Sequence, residues 1–158
     1  MVAIGFADLA GYTALSGELD PNALSRLLND WEAVSYDTIA AHGARVVKTI
    51  GDEVMFVGLP HEVLASAVAL RKAVAAEGLP PVRSGVAAGP VIPREGDFYG
   101  PVVNLASRLT AIAPANRVLV PSALKDTVGT GEFTFVPLGD QFLRGIGNVE
   151  TYALEESG

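Results

Sequence analysis

Two acidic positions attract attention because each one ends or divides a run of apolar residues. The stretch VAIGFADL reads as a buried strand that ends near Asp8, and KTIGDEVMF sets Asp52 and Glu53 on a glycine turn between two apolar runs. Each aspartate alone has an ordinary explanation, as a residue that favours turns and helix caps. If the turn lies beside the first strand, however, Asp8 and Asp52 converge at one end of a sheet. Their carboxylate oxygens would then suit Mg²⁺ or Mn²⁺.

A second set of polar side chains lies on a strand and on a helix further along the chain. Lys48 precedes the acidic turn, and Asn104 and Arg108 lie four residues apart on one face of a predicted helix. Lys48 and Arg108 have the default explanation of solvated surface residues. Asparagine has low helix propensity and needs hydrogen-bond partners when it is buried, so the face that carries Asn104 is expected to point into a polar site. His42 and His61 are expected to be surface residues.

The elements that must position these residues have clear start and stop signals in the first half of the chain. Asp20 begins a long amphipathic helix that Gly43 stops. Two β-rich runs then meet at Gly51, which predicts an antiparallel hairpin that carries both Lys48 and Asp52. A second amphipathic helix follows this hairpin.

The second half of the chain predicts more strands and one functional helix. VRSGVAAGPVI predicts a strand, and a polar loop then leads into a helix that begins near Pro101 and ends before Pro114. RVLV, EFTFVPL and VETYAL predict three further strands, with a short helix capped by Ser122 after the first. We therefore expect an α+β sandwich in which one antiparallel sheet carries helices on one face. The order of elements resembles a ferredoxin-like core with extra strands at its C-terminal end.

Length and composition favour one globular domain over residues 1–158, either complete or taken from a longer protein. Charged residues make up 18% against 49% apolar residues, and the formal net charge of −7 argues against a broad basic face for nucleic acid. The chain has no cysteine, which fits a reducing cytoplasm. Its start does not resemble a signal peptide and no apolar run approaches bilayer length, so we expect a cytoplasmic protein with no membrane contact from this segment.

Three segments together resemble a known family. FADLAGYT, KTIGDEVMF and GDFYGPVVNLASRL are similar to the signature segments of the class III nucleotide cyclases, which include adenylyl and guanylyl cyclases. Their order and spacing match across nearly the whole chain, and the combination is highly specific although each segment alone is weak evidence. The resemblance implies a class III cyclase fold and the conversion of ATP to 3′,5′-cyclic AMP and pyrophosphate with two divalent cations, Mg²⁺ or Mn²⁺.

The resemblance also implies roles for eight residues. They are Asp8, Asp52 and the backbone carbonyl of Leu9 for metal binding, Lys48 and Asp97 for the purine, Asn104 and Arg108 for the ribose and the transition state, and Arg144 for the triphosphate. The match at Arg144 is looser, because the family usually has lysine there. Adenine offers a ring-nitrogen acceptor and an amino donor, which suit Lys48 as donor and Asp97 as acceptor, whereas guanine offers the opposite pattern.

In this family the two metal-binding aspartates come from one subunit and the purine, ribose and transition-state residues come from the other. The resemblance therefore implies a symmetric homodimer with two composite active sites.

Three alternative functions are weaker. A guanylyl cyclase is disfavoured by Lys48 and Asp97, and a diguanylate cyclase has a Gly-Gly-Asp/Glu-Glu-Phe signature where this chain has IGDEV. A catalytically silent nucleotide-binding or dimerisation module is disfavoured because all six of the metal, purine, ribose and transition-state side chains are kept.

Overall fold

The computed structural model of the chain describes residues 1–129 and 131–156. Residues 130, 157 and 158 of the expected single domain lie outside these ranges. The elements in chain order are β1 Val2–Leu9, α1 Tyr12–Glu18, α2 Pro21–Ala41, β2 Arg45–Ile50, β3 Glu53–Gly58, α3 Pro60–Ala76, β4 Val82–Gly89, β5 Ile92–Arg94, β6 Asp97–Tyr99, α4 Pro101–Ile112, β7 Val118–Pro121, α5 Ser122–Val128, β8 Phe133–Leu143 and β9 Gly147–Glu156.

The described residues form one seven-stranded sheet and a separate two-stranded hairpin. The large sheet has the strand order β2-β3-β1-β4-β7-β9-β8, and β5 pairs only with β6. Neighbouring strands of the large sheet are antiparallel except β4 and β7, which are parallel. The first four strands have the order of a ferredoxin-like core, and β7 to β9 extend it. The expected α+β class and ferredoxin-like arrangement are therefore confirmed.

Helices α2 and α3 cover one face of the sheet. The Asp20 carboxylate caps α2 by accepting a hydrogen bond from the Ala23 N–H at 2.7 Å. On the buried face of α2, Trp31, Ser35 and Ile39 recur every four residues, as helical packing requires. Trp31 and Ile39 join the largest hydrophobic cluster, which also holds the buried side of α3. Within the described ranges, no helix is both long enough and apolar enough to cross a bilayer.

Helix α4 packs on the opposite face, so the single-face arrangement expected from the sequence applies to α2 and α3 and not to α4. Alternate residues of β1 explain this, because Ala3 and Ala7 contact the α2–α3 layer while Ile4 and Phe6 pack in a second cluster with Ala106 of α4. A strand that is apolar on both faces needs cover on both.

The separate hairpin of β5 and β6 replaces part of an expected strand. The stretch VRSGVAAGPVI was expected to form one strand, but β4 ends at Gly89 and residues 92–94 pair instead with residues 97–99. Between them Glu95 and Gly96 both have positive φ, 53° and 79°, which is the backbone of a tight hairpin turn. The hairpin matters because it presents Asp97 beside β2.

Candidate functional site

The two aspartates at the end of β1 and in the β2–β3 turn lie together. Strands β1 and β3 pair antiparallel with Ala7 opposite Val54, which brings the end of β1 next to the turn that precedes β3. The Leu9 N–H donates a hydrogen bond of 2.9 Å to Oδ2 of Asp52. Asp8, Leu9 and Asp52 line one cavity of about 300 Å³. The predicted convergence of the two carboxylates is thus observed in a single chain.

Burial and mutual repulsion act on the carboxylates of the turn more strongly than the nearby cations do. Burial raises the pKa of Asp52, the Leu9 N–H opposes this, and the charge of Asp8 adds to it. Burial also raises the pKa of Glu53, followed by repulsion from Asp8 and Asp52. Each carboxylate therefore destabilises the ionised form of its neighbour. A bound cation would remove that cost.

Arg83 of β4 is a member of this site that the sequence reasoning missed. Asp8 and Arg83 are direct partners in the ladder between β1 and β4. The guanidinium donates from Nε to Oδ1 of Asp8 at 2.6 Å and from Nη2 to Oδ2 at 3.3 Å, while Nη1 donates to the carbonyl of Ala111 at 3.0 Å. Arg83 also lines the cavity. One signal was available in the sequence, because a single arginine interrupts a run of small and apolar residues.

The donor set at this cavity fits a divalent cation that arrives with a substrate. No group of three or more His, Cys, Asp or Glu residues in the described part of the chain is arranged to hold a metal ion. Asp8 and Asp52 supply two carboxylates, and the backbone of Leu9 lies beside them. Mg²⁺ is commonly bound by one or two carboxylates together with water and substrate phosphates, so two protein carboxylates are sufficient.

Lys48 and Asp97 form a second polar group. Nζ of Lys48 lies 2.6 Å from Oδ2 of Asp97, and Oδ1 of Asp97 accepts the Phe98 N–H at 2.7 Å. The hydrogen bond from Lys48, followed by the one from Phe98, lowers the pKa of Asp97. The pair thus presents a cationic donor and a carboxylate acceptor side by side, with the Lys48 side chain 42% exposed.

A β-bulge in β2 determines which face of the sheet carries Lys48. The extra residue Val47 interrupts the ladder between β2 and β3 just before Lys48. Residues three apart on a regular strand point to opposite faces, but the bulge places Arg45 and Lys48 on the same face. Both then reach the β5–β6 hairpin, since the Arg45 guanidinium lies 5.9 Å from the centre of the Phe98 ring and Lys48 binds Asp97.

The remaining predicted residues do not join either group in one chain. Asn104 and Arg108 are exposed on α4, whose buried face is formed by Ala106, Leu109 and Thr110. The expectation that Asn104 faces a polar site is therefore not met within a single chain. Arg144 is exposed in the turn between β8 and β9. Among the described residues, none of the three lines the cavity that holds the two aspartates.

Comparisons with known proteins give matches over most of the chain. Residues 1–156 match the family model of the adenylate and guanylate cyclase catalytic domain. An adenylate cyclase of Streptomyces coelicolor is 42% identical over 127 residues, 79% of this chain and 33% of that protein. An adenylate cyclase of Glutamicibacter nicotianae is 37% identical over 155 residues, 96% of this chain and 38% of that protein. The chain thus spans about a third of the length of these relatives.

The fold is also that of a solved cyclase. The crystal structure of the adenylyl cyclase CyaB from Pseudomonas aeruginosa superimposes with a TM-score of 0.82 at 24% identity, covering 99% of this chain and 94% of that one. At this identity the match concerns the fold alone. It shows that this chain and that adenylyl cyclase share their fold over nearly their whole lengths.

Proposed function

The chain belongs to the adenylate and guanylate cyclase catalytic domain family, and from that premise we propose that it converts ATP to 3′,5′-cyclic AMP and pyrophosphate. The observation that carries the proposal is the convergence of Asp8 and Asp52 on one cavity, with the pKa of Asp52 raised by burial and by the charge of Asp8. Such a cavity attracts the metal complex of a polyphosphate. With ATP as substrate, the proposed activity belongs in the cytoplasm.

The proposed reaction is an in-line displacement. The ribose 3′ hydroxyl gives its proton to solvent and its oxygen attacks the α-phosphorus, while the bond from the α-phosphorus to the oxygen that bridges to the β-phosphorus breaks and pyrophosphate leaves from the opposite side. Two divalent cations, Mg²⁺ or Mn²⁺, held by Asp8, Asp52 and the Leu9 carbonyl, would stabilise the attacking and leaving oxygens. Arg83 lies in the same cavity and has the planar guanidinium that suits phosphate, so we assign it a contact to the triphosphate.

Lys48 and Asp97 are proposed to select adenine. Asp97 Oδ2 is bound to Lys48, yet each group keeps further hydrogen-bonding capacity, because an ammonium has three donors and a carboxylate about four acceptor sites. Lys48 can donate to the ring nitrogen of adenine while Asp97 accepts from its amino group. Guanine reverses both roles and would leave the pair mismatched. Loss of such hydrogen bonds supports discrimination of up to about 10⁴-fold in favourable cases.

Asn104 and Arg108 are proposed to act across a homodimer interface. Both side chains are exposed on α4, so they are available to a second copy of the chain. Asn104 would orient the ribose and Arg108 would meet the charge that develops around the α-phosphate. Arg144, also exposed, would contact the triphosphate. Each composite site would then use Asp8 and Asp52 of one chain with the other set from its partner.

A silent nucleotide-binding or dimerisation module is the second candidate. It is favoured by the ion pair between Arg83 and Asp8, which satisfies one of the two proposed metal-binding carboxylates without a metal. A silent module would bind nucleotide through Lys48 and Asp97 and release no product. Turnover therefore separates the two candidates.

The deciding experiment measures cyclic nucleotide formation by the purified chain with ATP or GTP, with Mg²⁺ or Mn²⁺, over a range of protein concentrations. We expect cyclic AMP from ATP, little product from GTP, and a specific activity that rises with protein concentration. Cyclic GMP from GTP in excess of cyclic AMP from ATP would favour the guanylyl cyclase. No product from either nucleotide, with dimers present, would favour the silent module.

A further inference from the structure

Trp31 is a fully buried residue of α2 that donates a hydrogen bond to the acidic turn. Its side chain is 2% exposed and shares a helix face with Ser35 and Ile39. The indole Nε1–H donates to the backbone carbonyl of Asp52. Buried tryptophans usually find an acceptor for this N–H. Here the acceptor belongs to a residue that is proposed to bind metal.

Asp52 is consequently held from two sides. The Leu9 N–H of β1 donates to its carboxylate at 2.9 Å, and Trp31 of α2 donates to its backbone carbonyl. The preceding residue, Gly51, has a φ of 60° and adds no side chain that could brace the turn. Hydrogen bonds from two neighbouring elements therefore help to fix where the carboxylate lies relative to Asp8.

The packing around Trp31 explains why this hydrogen bond matters for the position of the turn. One side of the α2–turn junction is a cavity of about 280 Å³, lined in part by Trp31, Asn29, Glu32 and Thr49. Packing between α2 and the turn is therefore incomplete at this point. A directional hydrogen bond can hold the turn where packing leaves room for it to shift.

We propose that Trp31 is a positioning residue for the metal site, which holds the Asp52 turn in the geometry that lets both aspartates bind one cation. This inference rests on the metal role proposed for Asp52. Trp31 itself touches neither the metal nor the substrate. Its loss should weaken metal binding and leave the recognition of the purine unchanged.

Direct binding of Mn²⁺ tests the proposal without requiring turnover. Free Mn²⁺ is measured by electron paramagnetic resonance, with Mn²⁺ alone and with Mn²⁺ plus α,β-methylene-ATP, for the wild-type chain and for Trp31→Phe. Phenylalanine keeps an aromatic ring and removes the N–H donor. We expect Mn²⁺ binding to weaken about three- to tenfold, the range expected for one lost hydrogen bond.

The matched control is Ile39→Val, which trims a buried residue on the same face of α2 but at the far end of the helix from Trp31. It should leave Mn²⁺ binding unchanged. Equal weakening by both variants would reduce Trp31 to a packing residue and overturn the proposal, as would equal Mn²⁺ affinity in Trp31→Phe and wild type. If the wild-type chain binds no Mn²⁺ under either condition, the metal assignment within the proposed function is itself wrong, and the role of Trp31 falls with it.

A second measurement uses the wild-type chain and does not depend on the stability of Trp31→Phe. Trp31 is the only tryptophan in the sequence, so the tryptophan emission comes from this side chain alone and reports on its surroundings. We expect a saturable change in emission as Mn²⁺ is added, and no such change in Asp52→Asn. Mn²⁺ binding that leaves the emission of the wild-type chain unaltered would contradict the proposal.

Discussion

At the scale of single residues, the carboxylates of Asp8 and Asp52 repel each other, and their contacts within the chain offset this repulsion only in part. Asp8 is paired with Arg83, whereas the Asp52 carboxylate accepts hydrogen bonds from the backbone N–H groups of Leu9 and of Asp52 itself and feels Arg83 only through its charge. Burial and the charge of Asp8 consequently raise the pKa of Asp52. A site of this kind gains stability when its charge is either neutralised or removed.

Asp52→Asn removes the charge of the side chain and also prevents its neutralisation by a bound cation, so it tests the two effects separately. Asparagine keeps an oxygen for the Leu9 N–H and removes the charge, so the metal-free variant is expected to melt at or slightly above the wild-type temperature. Cyclase activity is expected to fall at least about 100-fold, since outer-shell partners of a metal ligand alone contribute about 10- to 100-fold. Thermal unfolding and cyclic AMP assays measure the two effects. Wild-type activity in this variant would contradict a metal-binding role.

Asp97 makes the free energy of unfolding depend on pH, and here the ionised carboxylate is the stabilising form, unlike that of Asp52. Because the hydrogen bond from Lys48 lowers the pKa of Asp97 below its usual value of 3.8, the ionised carboxylate stabilises the fold above that pH. This contribution is lost as the pH falls through the lowered pKa. The free energy of unfolding of the wild type should therefore exceed that of Asp97→Asn by a constant amount at neutral pH and approach it as the pH falls below 3.8, as urea denaturation would measure.

The exposure of Lys48 keeps this effect small and sensitive to salt. Repeating the titration at high ionic strength should reduce the difference between the wild type and Asp97→Asn. Asp140→Asn, which alters an exposed carboxylate on β8, serves as the control. A difference that grows toward low pH would show that the sign is wrong.

At the scale of elements, the close contact between β4 and α4 sets the position of Asn104 and Arg108. A Cβ on Gly85 would lie 2.6 Å from the Ala106 carbonyl oxygen and would also collide with the backbone N of Thr110. Both atoms belong to the backbone of α4, so the helix could accommodate the new methyl group only by moving. Glycine here sets the depth at which α4 packs on the sheet.

Gly85→Ala is therefore expected to lower the free energy of unfolding by about 1–3 kcal/mol, a typical cost of overpacking. Gly17→Ala in α1 is the matched control, because a Cβ there meets nothing within 4 Å. Alanine in that helix should raise stability by about 0.5–1 kcal/mol. Urea denaturation measures both, and an unchanged stability of Gly85→Ala would show that α4 can shift at no cost.

Local signals predicted the elements well and the long-range contacts less well. The Asp20 cap and the glycine turn at Gly51 act within a few residues, so the sequence located α2 and the β2–β3 hairpin correctly. The β5–β6 hairpin was missed because its pairing begins at Ile92, the last residue of an apolar stretch that reads as one strand. Arg83 was missed because its partner Asp8 lies 75 residues away and only the pairing of β1 with β4 brings them together.

At the scale of the whole molecule, the candidate site is divided. One chain brings together Asp8, Asp52 and Arg83, and separately Lys48 and Asp97, whereas Asn104 and Arg108 remain exposed on α4. This division could not be predicted from the spacing of residues in one chain, since it concerns which surfaces meet in an assembly. It makes the second copy of the chain part of the proposed chemistry.

Mixing two inactive variants tests that division. Asp52→Ala removes a residue of one proposed half-site and Arg108→Ala removes a residue of the other. A mixed dimer has one site that carries both lesions and one that carries neither, so activity should return to roughly a quarter of wild type if the subunits exchange randomly. Cyclic AMP formation before and after mixing measures the recovery. Exchange of subunits, verified by mixed tags, without recovery would count against composite sites.

The short pairing between the parallel strands β4 and β7 affects how the sheet unfolds locally. Its register joins Ser84 with Val118 and Gly85 with Leu119, whereas β1 and β4 are paired along eight positions. Within the sheet that the described residues form, β7 and the long hairpin of β8 and β9 are joined to β1 to β4 only through this short parallel pairing. We expect amide hydrogen exchange to divide the molecule there, with β7 to β9 opening as a cooperative unit while β1 to β4 stay protected.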